Sequence, residues 1–137
     1  MQQKSILYIH GFNSSPSSLK AELTQQYLLY HHQNIEFYCP QLLTSAKDVL
    51  GQLEAILQSK PNNQWCLMGS SLGGYFSIYL AEKYHLKAIL INPAITPFEL
   101  LMEYLGEQKN PYTEEVYQVT RQDMFDLKSI EQEKISK

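Results

Sequence analysis

The chain carries the pentapeptide Gly69-Ser70-Ser71-Leu72-Gly73 between an apolar run, Trp65 to Met68, and a stretch of helical periodicity, Leu72 to Tyr84. This order predicts a strand, a sharp turn and a helix, with a serine at the apex of the turn. In so tight a turn, the residues two before and two after the apex nearly touch neighbouring backbone, so both must be very small. Ser71 has a glycine at both positions and Ser70 does not, so the spacing selects Ser71 as the apex residue.

A Gly-x-Ser-x-Gly pattern between a strand and a helix is the signature of the nucleophile elbow of α/β-hydrolases. It predicts Ser71 as the nucleophile of an acyl-transfer reaction and Gly69 and Gly73 as supporting residues of the turn. The N–H of Leu72, at the start of the following helix, is expected to donate to the oxyanion of the tetrahedral intermediate. The elbow therefore supplies a nucleophile and one oxyanion donor.

The second oxyanion donor of such a site usually lies in the loop after an earlier strand. His10-Gly11-Phe12 follows the short apolar run Ser5 to Ile9. Alone, a His-Gly pair after a strand indicates an ordinary turn, and only its pairing with the elbow favours a catalytic role. We then expect the Phe12 N–H to be the second donor, with His10 and Gly11 as the supporting turn.

Length and composition limit the classes of function. The chain has 137 residues with 44% hydrophobic and 18% charged residues, which predicts a single domain over residues 1–137. The net charge of −3 gives no sign of a nucleic-acid or membrane surface partner. The N-terminal apolar run is too short for a signal peptide or a membrane span, which predicts a cytoplasmic protein. Cys39 and Cys66 show no metal-ligand spacing and are expected to be free thiols.

Strand-like and helix-like segments alternate along the chain. Because strands that alternate with helices form parallel sheets with right-handed crossovers, the pattern predicts a three-layer α/β fold with helices on both faces of the sheet. The loops after the first and third strands should then meet at one edge. The predicted strands are Ser5–Ile9, Ile35–Cys39, Trp65–Met68 and Ala88–Ile91.

Capping residues and apolar spacing predict the helices. The first helix is expected to have Ser15 as its N-cap and Pro16 at its first position, and Leu19, Leu23, Tyr27 and Tyr30 follow at helical spacing. A later helix, Pro97 to Leu105, should bury Phe98, Leu101, Met102 and Leu105. Beyond Gly106 the chain turns polar, with a turn at Asn110-Pro111-Tyr112 and only weak helical character from Gln122 to Lys137.

Five blocks of sequence resemble the YqiA-type esterases, a family of small bacterial α/β-hydrolases. The resemblance runs in order over nearly the whole chain and implies a serine esterase without a cofactor, acting on short acyl esters and on acyl-CoA thioesters. Carried across, Ser71 is the nucleophile, and Phe12 and Leu72 are the oxyanion donors. The blocks are His10–Pro16, Gly69–Tyr75, Asn92–Ala94, Pro97–Leu101 and Asn110–Thr113.

The chain departs from this family where the rest of a catalytic triad is expected. In α/β-hydrolases the acid and the histidine follow the serine along the chain, and the family members continue beyond the point where this chain stops. Here His85 is the one histidine after Ser71, and it falls at the far end of the helix that begins at Leu72. Asp123 and Asp126 are late aspartates in the polar tail. The sequence therefore predicts an inactive fragment that lacks the last strands of the fold.

Missing strands would leave Ala88–Ile91 as an exposed edge of the sheet, which predicts self-association through that edge. Two other functions stay open. One is a non-catalytic module that binds acyl ligands or a protein partner. The other is an acyl-CoA thioesterase or acyltransferase, because one tetrahedral intermediate serves esters and thioesters alike. No metal site is expected, since the histidines and cysteines lack ligand spacing.

Overall fold

Strands and helices alternate along most of the chain in a computed structural model that describes residues 2–131. The strands are β1 Lys4–Ile9, β2 Glu36–Tyr38, β3 Gln64–Ser70, β4 Lys87–Ile91, β5 Gly106–Lys109 and β6 Val116–Val119. The helices are α1 Leu19–His31, α2 Ala46–Ser59, α3 Leu72–Tyr84, α4 Pro97–Leu101 and α5 Arg121–Ser129, with a 3₁₀ turn at Met102–Tyr104. The predicted fold class is confirmed, with all four predicted strands at or near their predicted positions.

The first four strands form a parallel sheet in the order β2-β1-β3-β4. The connection through α1 leads from β1 to β2 on one side of it. The connections through α2 and α3 lead in the opposite direction, to β3 and then to β4. Right-handed crossovers therefore place α1 on one face and the other two helices on the opposite face. The carboxyl ends of β1 and β3, which pair along Lys4–Ile9 and Gln64–Gly69, end side by side.

The main core lies between the sheet and the helices α2, α3 and α5. Leu53, Leu67 and Leu80 are fully buried there. The inner face of α2 agrees with its predicted apolar stripe, and the Ser45 hydroxyl accepts from the Asp48 N–H at 3.2 Å to cap that helix. This packing fixes the positions of β1 and β3, on which the candidate site is built.

The prediction for the start of α1 is wrong. The helix begins at Leu19 with Ser18 as its N-cap, so Pro16 is not its first residue, and the Ser15 Oγ accepts from the Ser17 N–H at 2.9 Å in a turn that precedes the helix. Ala21 and Leu28 are the buried residues of α1, while the four residues at helical spacing, Leu19, Leu23, Tyr27 and Tyr30, are all exposed.

The polar C-terminal part has more structure than its sequence predicted. β5 and β6 form an antiparallel hairpin whose connection contains the predicted turn at Asn110. The helix α5 follows, and its start is a complete capping box in which Thr120 and Asp123 bond to each other's backbone. Asp123 is buried, contrary to its placement in a polar tail. The part of the predicted weak helix at residues 132–137 lies outside the described residues.

The predicted helix from Pro97 to Leu105 is shorter than expected. It begins at Pro97 but gives way to a 3₁₀ turn at Met102, and Met102 itself is exposed rather than packed inward. Leu101 is buried, and Phe98 and Leu105 pack against the core as predicted. Within residues 2–131, no helix has the length and apolar character that a bilayer crossing requires.

The strand β4 has a sheet neighbour on one side only among the strands that the structure describes. It pairs with β3, and its Ile89 and Leu90 side chains are 49% and 38% exposed. Unpaired edges with apolar side chains are templates for pairing with another chain. Self-association through β4 therefore stays a prediction.

We expect the chain to sediment as a dimer at micromolar concentration and Ile89→Lys to shift it toward monomer, because a charge on the edge opposes strand pairing. Leu23→Lys, the same change at an exposed position of α1, is the matched control and should leave the association unchanged. Analytical ultracentrifugation measures both. A monomeric wild-type chain would contradict the prediction.

Candidate active site

Ser71 occupies the turn between β3 and α3 and has a backbone conformation that non-glycine residues rarely adopt. Its φ is 57° and its ψ is −118°. Three backbone hydrogen bonds hold this conformation. The Ser71 N–H donates to the Ile91 carbonyl at 3.0 Å, and its own carbonyl accepts from Gly74 at 3.0 Å and from Ala94 at 2.8 Å. The side chain is left exposed at the carboxyl edge of the sheet.

Gly69 and Gly73 are required by the close packing of this turn. A Cβ on Gly69 would lie 2.3 Å from the Gly73 carbonyl oxygen, and one on Gly73 would lie 1.9 Å from the Ile9 carbonyl oxygen. Real Cβ atoms do not approach other atoms so closely. The first turn of α3 therefore rests directly on the end of β1, and this contact sets the height of Ser71 above the sheet.

The loop after β1 brings a second group of predicted site residues against Ser71. A Cβ on Gly11 would lie 3.2 Å from the Ser71 Cβ and 3.8 Å from its Oγ. Gly11 thus faces the serine side chain directly, and its missing side chain leaves space beside the hydroxyl. The structure brings the two separate motifs of the sequence, His10-Gly11-Phe12 and the Ser71 turn, into one site.

Two backbone amides beside this contact have no acceptor. Within residues 2–131, neither the Phe12 N–H nor the Leu72 N–H donates to a protein atom. Phe12 follows Gly11 directly, and Leu72 is the first residue of α3, where the helix dipole favours negative charge. The site therefore offers free donors next to an exposed hydroxyl.

His10 is buried and uses both of its ring nitrogens to hold the loop. Its Nε2 accepts from the Leu42 N–H at 3.0 Å, so this nitrogen carries no proton. The proton is then on Nδ1, which donates to the Gly11 carbonyl oxygen at 2.9 Å. Burial lowers the pKa of His10, in keeping with a neutral ring. His10 thus positions the Gly11–Phe12 peptide and is not a free base.

The remaining histidines lie away from Ser71. His31 and His32 are at the end of α1, with ring centroids 4.6 and 5.8 Å from that of Tyr27. His85 is the C-cap of α3 in a left-handed conformation, at the opposite end of that helix from Ser71. In the described part of the chain, therefore, no histidine contacts the Ser71 hydroxyl.

The late aspartates are also engaged elsewhere. Asp123 caps α5 by accepting from the Thr120 N–H at 2.9 Å, and its other oxygen accepts from the Ala46 N–H at 3.4 Å. Asp126 accepts from the Gln122 side chain at 2.9 Å. Neither aspartate is positioned to orient a base at Ser71.

An apolar pocket with a cavity volume of about 60 Å³ opens beside the two free amides. Phe12 and Leu72 line it, so it begins at the same two residues whose N–H groups border Ser71. Further apolar lining comes from α2, α3, α4, α5 and the β5–β6 hairpin, mainly Val49, Phe76, Leu101, Val119 and Leu127. Its apolar lining suits an acyl chain, and its small volume suits a short one.

The β5–β6 hairpin is bonded to the loop that carries Phe12. The Asn110 side-chain amide donates to the Ser14 carbonyl at 3.0 Å, and the Tyr117 hydroxyl donates to the Asn13 side chain. Burial raises the pKa of Tyr117 to about 12, which keeps it a donor. The Phe12 ring packs edge-on against the rings of Tyr104 and Tyr117, with centroids 5.3 and 6.3 Å apart. Apart from the Asn-Pro turn, no sequence pattern predicted these partners of the Phe12 loop.

Other reactive groups are poorly suited to the site. Burial raises the pKa of the Cys39 thiol to about 12 and also raises that of Cys66, so neither is an activated nucleophile. Both are free thiols, as expected. Among the side chains that the structure describes, no three of His, Cys, Asp or Glu come together as ligands for a metal ion.

Comparisons with known proteins agree with this architecture. The sequence pattern of an uncharacterised protein family, UPF0227, matches residues 5–137. A protein from Agrobacterium vitis S4, whose name as a hydrolase is provisional, superposes with a TM-score of 0.70 at 18% identity, over 94% of this chain and 62% of its own. The alpha/beta hydrolase domain-containing protein 10 from mouse gives 0.66 at 18% identity, over 93% and 62%.

A structure from work on the metagenome-derived lipolytic enzymes LipS and LipT is also similar, with a TM-score of 0.60 at 15% identity, over 94% of this chain and 67% of that one. At such identities these likenesses show the α/β-hydrolase fold. The chain spans 62% of the length of the first two proteins.

We predict that Gly73→Ala lowers the free energy of unfolding by about 3 kcal/mol or more, because the new methyl group would overlap the Ile9 carbonyl. Gly51→Ala is the matched control. It lies within α2 with nothing within 4 Å of an added Cβ, and it should raise stability by about 1 kcal/mol. Urea denaturation measures both, and equal stabilities for the two variants would refute the packing argument.

The buried neutral state of His10 predicts a loss of stability at acid pH. Since its pKa in the folded protein is below the usual 6.5, the unfolded chain takes up the proton first as the pH falls through that value. The contribution of neutral His10 to the free energy of unfolding is complete above about pH 7. It decreases toward pH 5, by at most about 1.4 kcal/mol per pH unit. His10→Gln can still accept from the Leu42 N–H but does not titrate.

The His10→Gln variant should therefore show a shallower fall in unfolding free energy between about pH 7 and pH 5 than the wild-type chain. Denaturant titrations at several pH values supply the slopes. Parallel slopes would mean that His10 is not held neutral in the folded protein.

Proposed function

Because the chain belongs to the uncharacterised protein family UPF0227, the YqiA-like family, and has the α/β-hydrolase fold, we propose that it is a carboxylic ester hydrolase with Ser71 as its nucleophile. The observation that carries the proposal is the Ser71 turn, where an exposed hydroxyl at φ 57° lies against Gly11 and beside two free amides. Hydrolases of this fold use the same combination of groups. A cytoplasmic location is part of the proposal.

In the proposed reaction, the Ser71 Oγ attacks the carbonyl carbon of an ester whose acyl chain occupies the apolar pocket. The carbonyl oxygen gains negative charge as the tetrahedral intermediate forms, and the N–H groups of Phe12 and Leu72 donate to it. A donor of this kind contributes about 3 kcal/mol to transition-state stabilisation. The alcohol then leaves, and water releases the acid from the acyl-serine.

This reaction needs a base to take the serine proton and an acid residue to orient the base. The four histidines of the chain hold other positions, and His10 has both nitrogens engaged. We propose that the base and its acid are not among the histidines and late aspartates described above, so that the 137-residue chain alone is nearly inactive.

The pocket favours esters of short acyl chains over long ones. The β5–β6 hairpin covers this pocket. Hydrogen bonds to Ser14 and Asn13 hold the hairpin against the loop that carries the Phe12 N–H. Thioesters form the same tetrahedral intermediate, so acyl-CoA thioesterase or acyltransferase activity stays within the same proposal. A non-catalytic binding module is the competing alternative, and chemical labelling of the serine separates the two.

We expect a fluorophosphonate probe to label Ser71 slowly at alkaline pH, where hydroxide takes the proton that the missing base would otherwise accept. Intact-protein and peptide mass spectrometry locate the adduct. Ser71→Ala should abolish the labelling, and Ser70→Ala, at the neighbouring serine, should retain it. Gly11→Ala should lower the rate at least about tenfold, because its methyl group fills the space beside the Ser71 hydroxyl.

The labelling rate of the 137-residue chain should rise continuously with pH, without a plateau above the usual imidazole pKa of about 6.5. A plateau there would show that a histidine of this chain acts as the base. Labelling that persists in Ser71→Ala would remove the serine-nucleophile proposal, and a binding module would give no labelling of Ser71 at any pH.

A further inference from the structure

An open cleft with a cavity volume of about 330 Å³ lies on the other side of the His10–Phe12 loop from the apolar pocket. Ser71 lines this cleft and not the apolar pocket. The cleft is rich in hydrogen-bond donors, and among its described lining residues there is one cation and no carboxylate. The donor-bearing side chains are those of Tyr8, Ser14, Ser18, Lys20, Ser70 and Ser71.

Tyr8 supplies the first sign that a ligand belongs here. The residue is 0% exposed, and its hydroxyl is the one buried side-chain polar atom without a hydrogen-bond partner in the described part of the chain. Burial raises the pKa of Tyr8 and an interaction with the Ser70 side chain partly offsets the rise, so the hydroxyl is neutral at pH 7 and stays available as a donor beside Ser70. A buried donor without an acceptor is costly, and such groups in native proteins usually have a functional reason.

The start of α1 supplies the second sign. Ser18 is its N-cap, but the Ser18 side chain makes no capping hydrogen bond, and over residues 2–131 no protein acceptor takes the N–H groups of Leu19, Lys20 and Ala21. Ser45 caps α2 and Thr120 caps α5 through their side chains, whereas Ser71, the N-cap of α3, makes no side-chain capping bond either. The positive end of the α1 dipole thus faces the cleft with free donors.

We propose that this cleft binds an oxyanion group, a carboxylate or a phosphate, carried by the part of the substrate that lies opposite the acyl chain. The free amides of α1, the Lys20 ammonium and the Tyr8 hydroxyl are the groups that would hold it. Glu22 lies in the same first turn of α1 but is exposed and does not line the cleft. The inference rests on the proposed function, because it assumes that the substrate reacts at Ser71.

The division of the site then defines a substrate class. An apolar acyl group fits the pocket beneath the hairpin, and an acidic alcohol or thiol fits the cleft on the other side of Ser71. Short esters of an uncharged alcohol would occupy the apolar pocket and make no use of the donors in the cleft. Esters and thioesters whose leaving group carries a phosphate or carboxylate should therefore be preferred.

Anion binding can be tested on the 137-residue chain without turnover. Inorganic phosphate and acetate are titrated separately into ¹⁵N-labelled protein at pH 7.5 and constant ionic strength, with chloride as the balancing anion. We expect saturable shifts of the Leu19, Lys20 and Ala21 amide signals with at least one of the two. The anion with the lower dissociation constant identifies phosphate or carboxylate as the preferred group.

Three variants separate a ligand site from general charge attraction. Tyr8→Phe and Lys20→Gln should each weaken the binding about tenfold, as expected for loss of one hydrogen bond to a charged group. Lys47→Gln is the matched control, since Lys47 is the second residue of α2 as Lys20 is of α1, but its helix is capped by Ser45. It should bind as the wild-type chain does.

Stability gives a second readout for Tyr8. Because its hydroxyl makes no hydrogen bond of ordinary geometry in the described residues, and Ser70 is an exchangeable neighbour at the cleft, Tyr8→Phe should melt at the same temperature as the wild-type chain or higher, even though it binds the anion more weakly. A lower melting temperature with unchanged anion affinity would assign the hydroxyl a structural role and overturn the proposal.

Linear, non-saturating shifts with both anions, or equal affinities in the wild-type, Tyr8→Phe and Lys20→Gln proteins, would also overturn it. If the anion titration fails and Ser71 is labelled, this inference alone is removed. If the anion binds and Ser71 is not labelled, the ester hydrolase proposal is removed.

Discussion

The site depends on the absence of side-chain atoms where α3 meets the end of β1. A Cβ on Gly73 would lie 1.9 Å from the Ile9 carbonyl, so the first turn of α3 can pack on β1 only because that atom is missing. The same contact forces the chain to reverse at Ser71 with positive φ and leaves its hydroxyl above the sheet. It also aligns the Leu72 amide with the loop after β1. Steric exclusion between backbones, rather than a side-chain interaction, therefore builds the centre of the site.

A second layer of contacts fixes the loop that faces Ser71. His10 holds Gly11 and Leu42 together through a neutral imidazole, and the β5–β6 hairpin is bonded to Ser14 and Asn13 in the same loop. The loop thus separates an apolar pocket from a donor-rich cleft, with Ser71 at the boundary. In the proposed reaction this separation assigns the acyl chain and the polar part of the substrate to different compartments, which orients the ester bond at the serine.

Apolar periodicity, capping residues and glycine spacing predicted the sheet, α2 and the Ser71 turn, because interactions between residues close in sequence determine each of them. The glycine spacing around Ser71 reflects real steric limits, and the stripe of α2 packs on the core as its periodicity requires. The apolar spacing of α1 did not predict its packing, since that helix buries only Ala21 and Leu28 and begins after a turn at Ser15. The hairpin was missed and α5 was predicted only as weak helical character, because contacts distant in sequence stabilise them, such as those of Asn110 and Tyr117 with the β1 loop and of Asp123 with the Ala46 N–H. No sequence pattern predicts the anion-binding role proposed for Tyr8, because in the sequence it is one more aromatic residue of an apolar strand.

The most direct test is a crystal structure of the chain after complete reaction with a butyl fluorophosphonate at alkaline pH, where hydroxide replaces the missing base. We expect a tetrahedral phosphonate on the Ser71 Oγ, with one oxygen about 3 Å from the nitrogens of both Phe12 and Leu72 and the butyl group in the apolar pocket. An unmodified Ser71, or an adduct whose oxygens contact neither amide, would contradict this expectation.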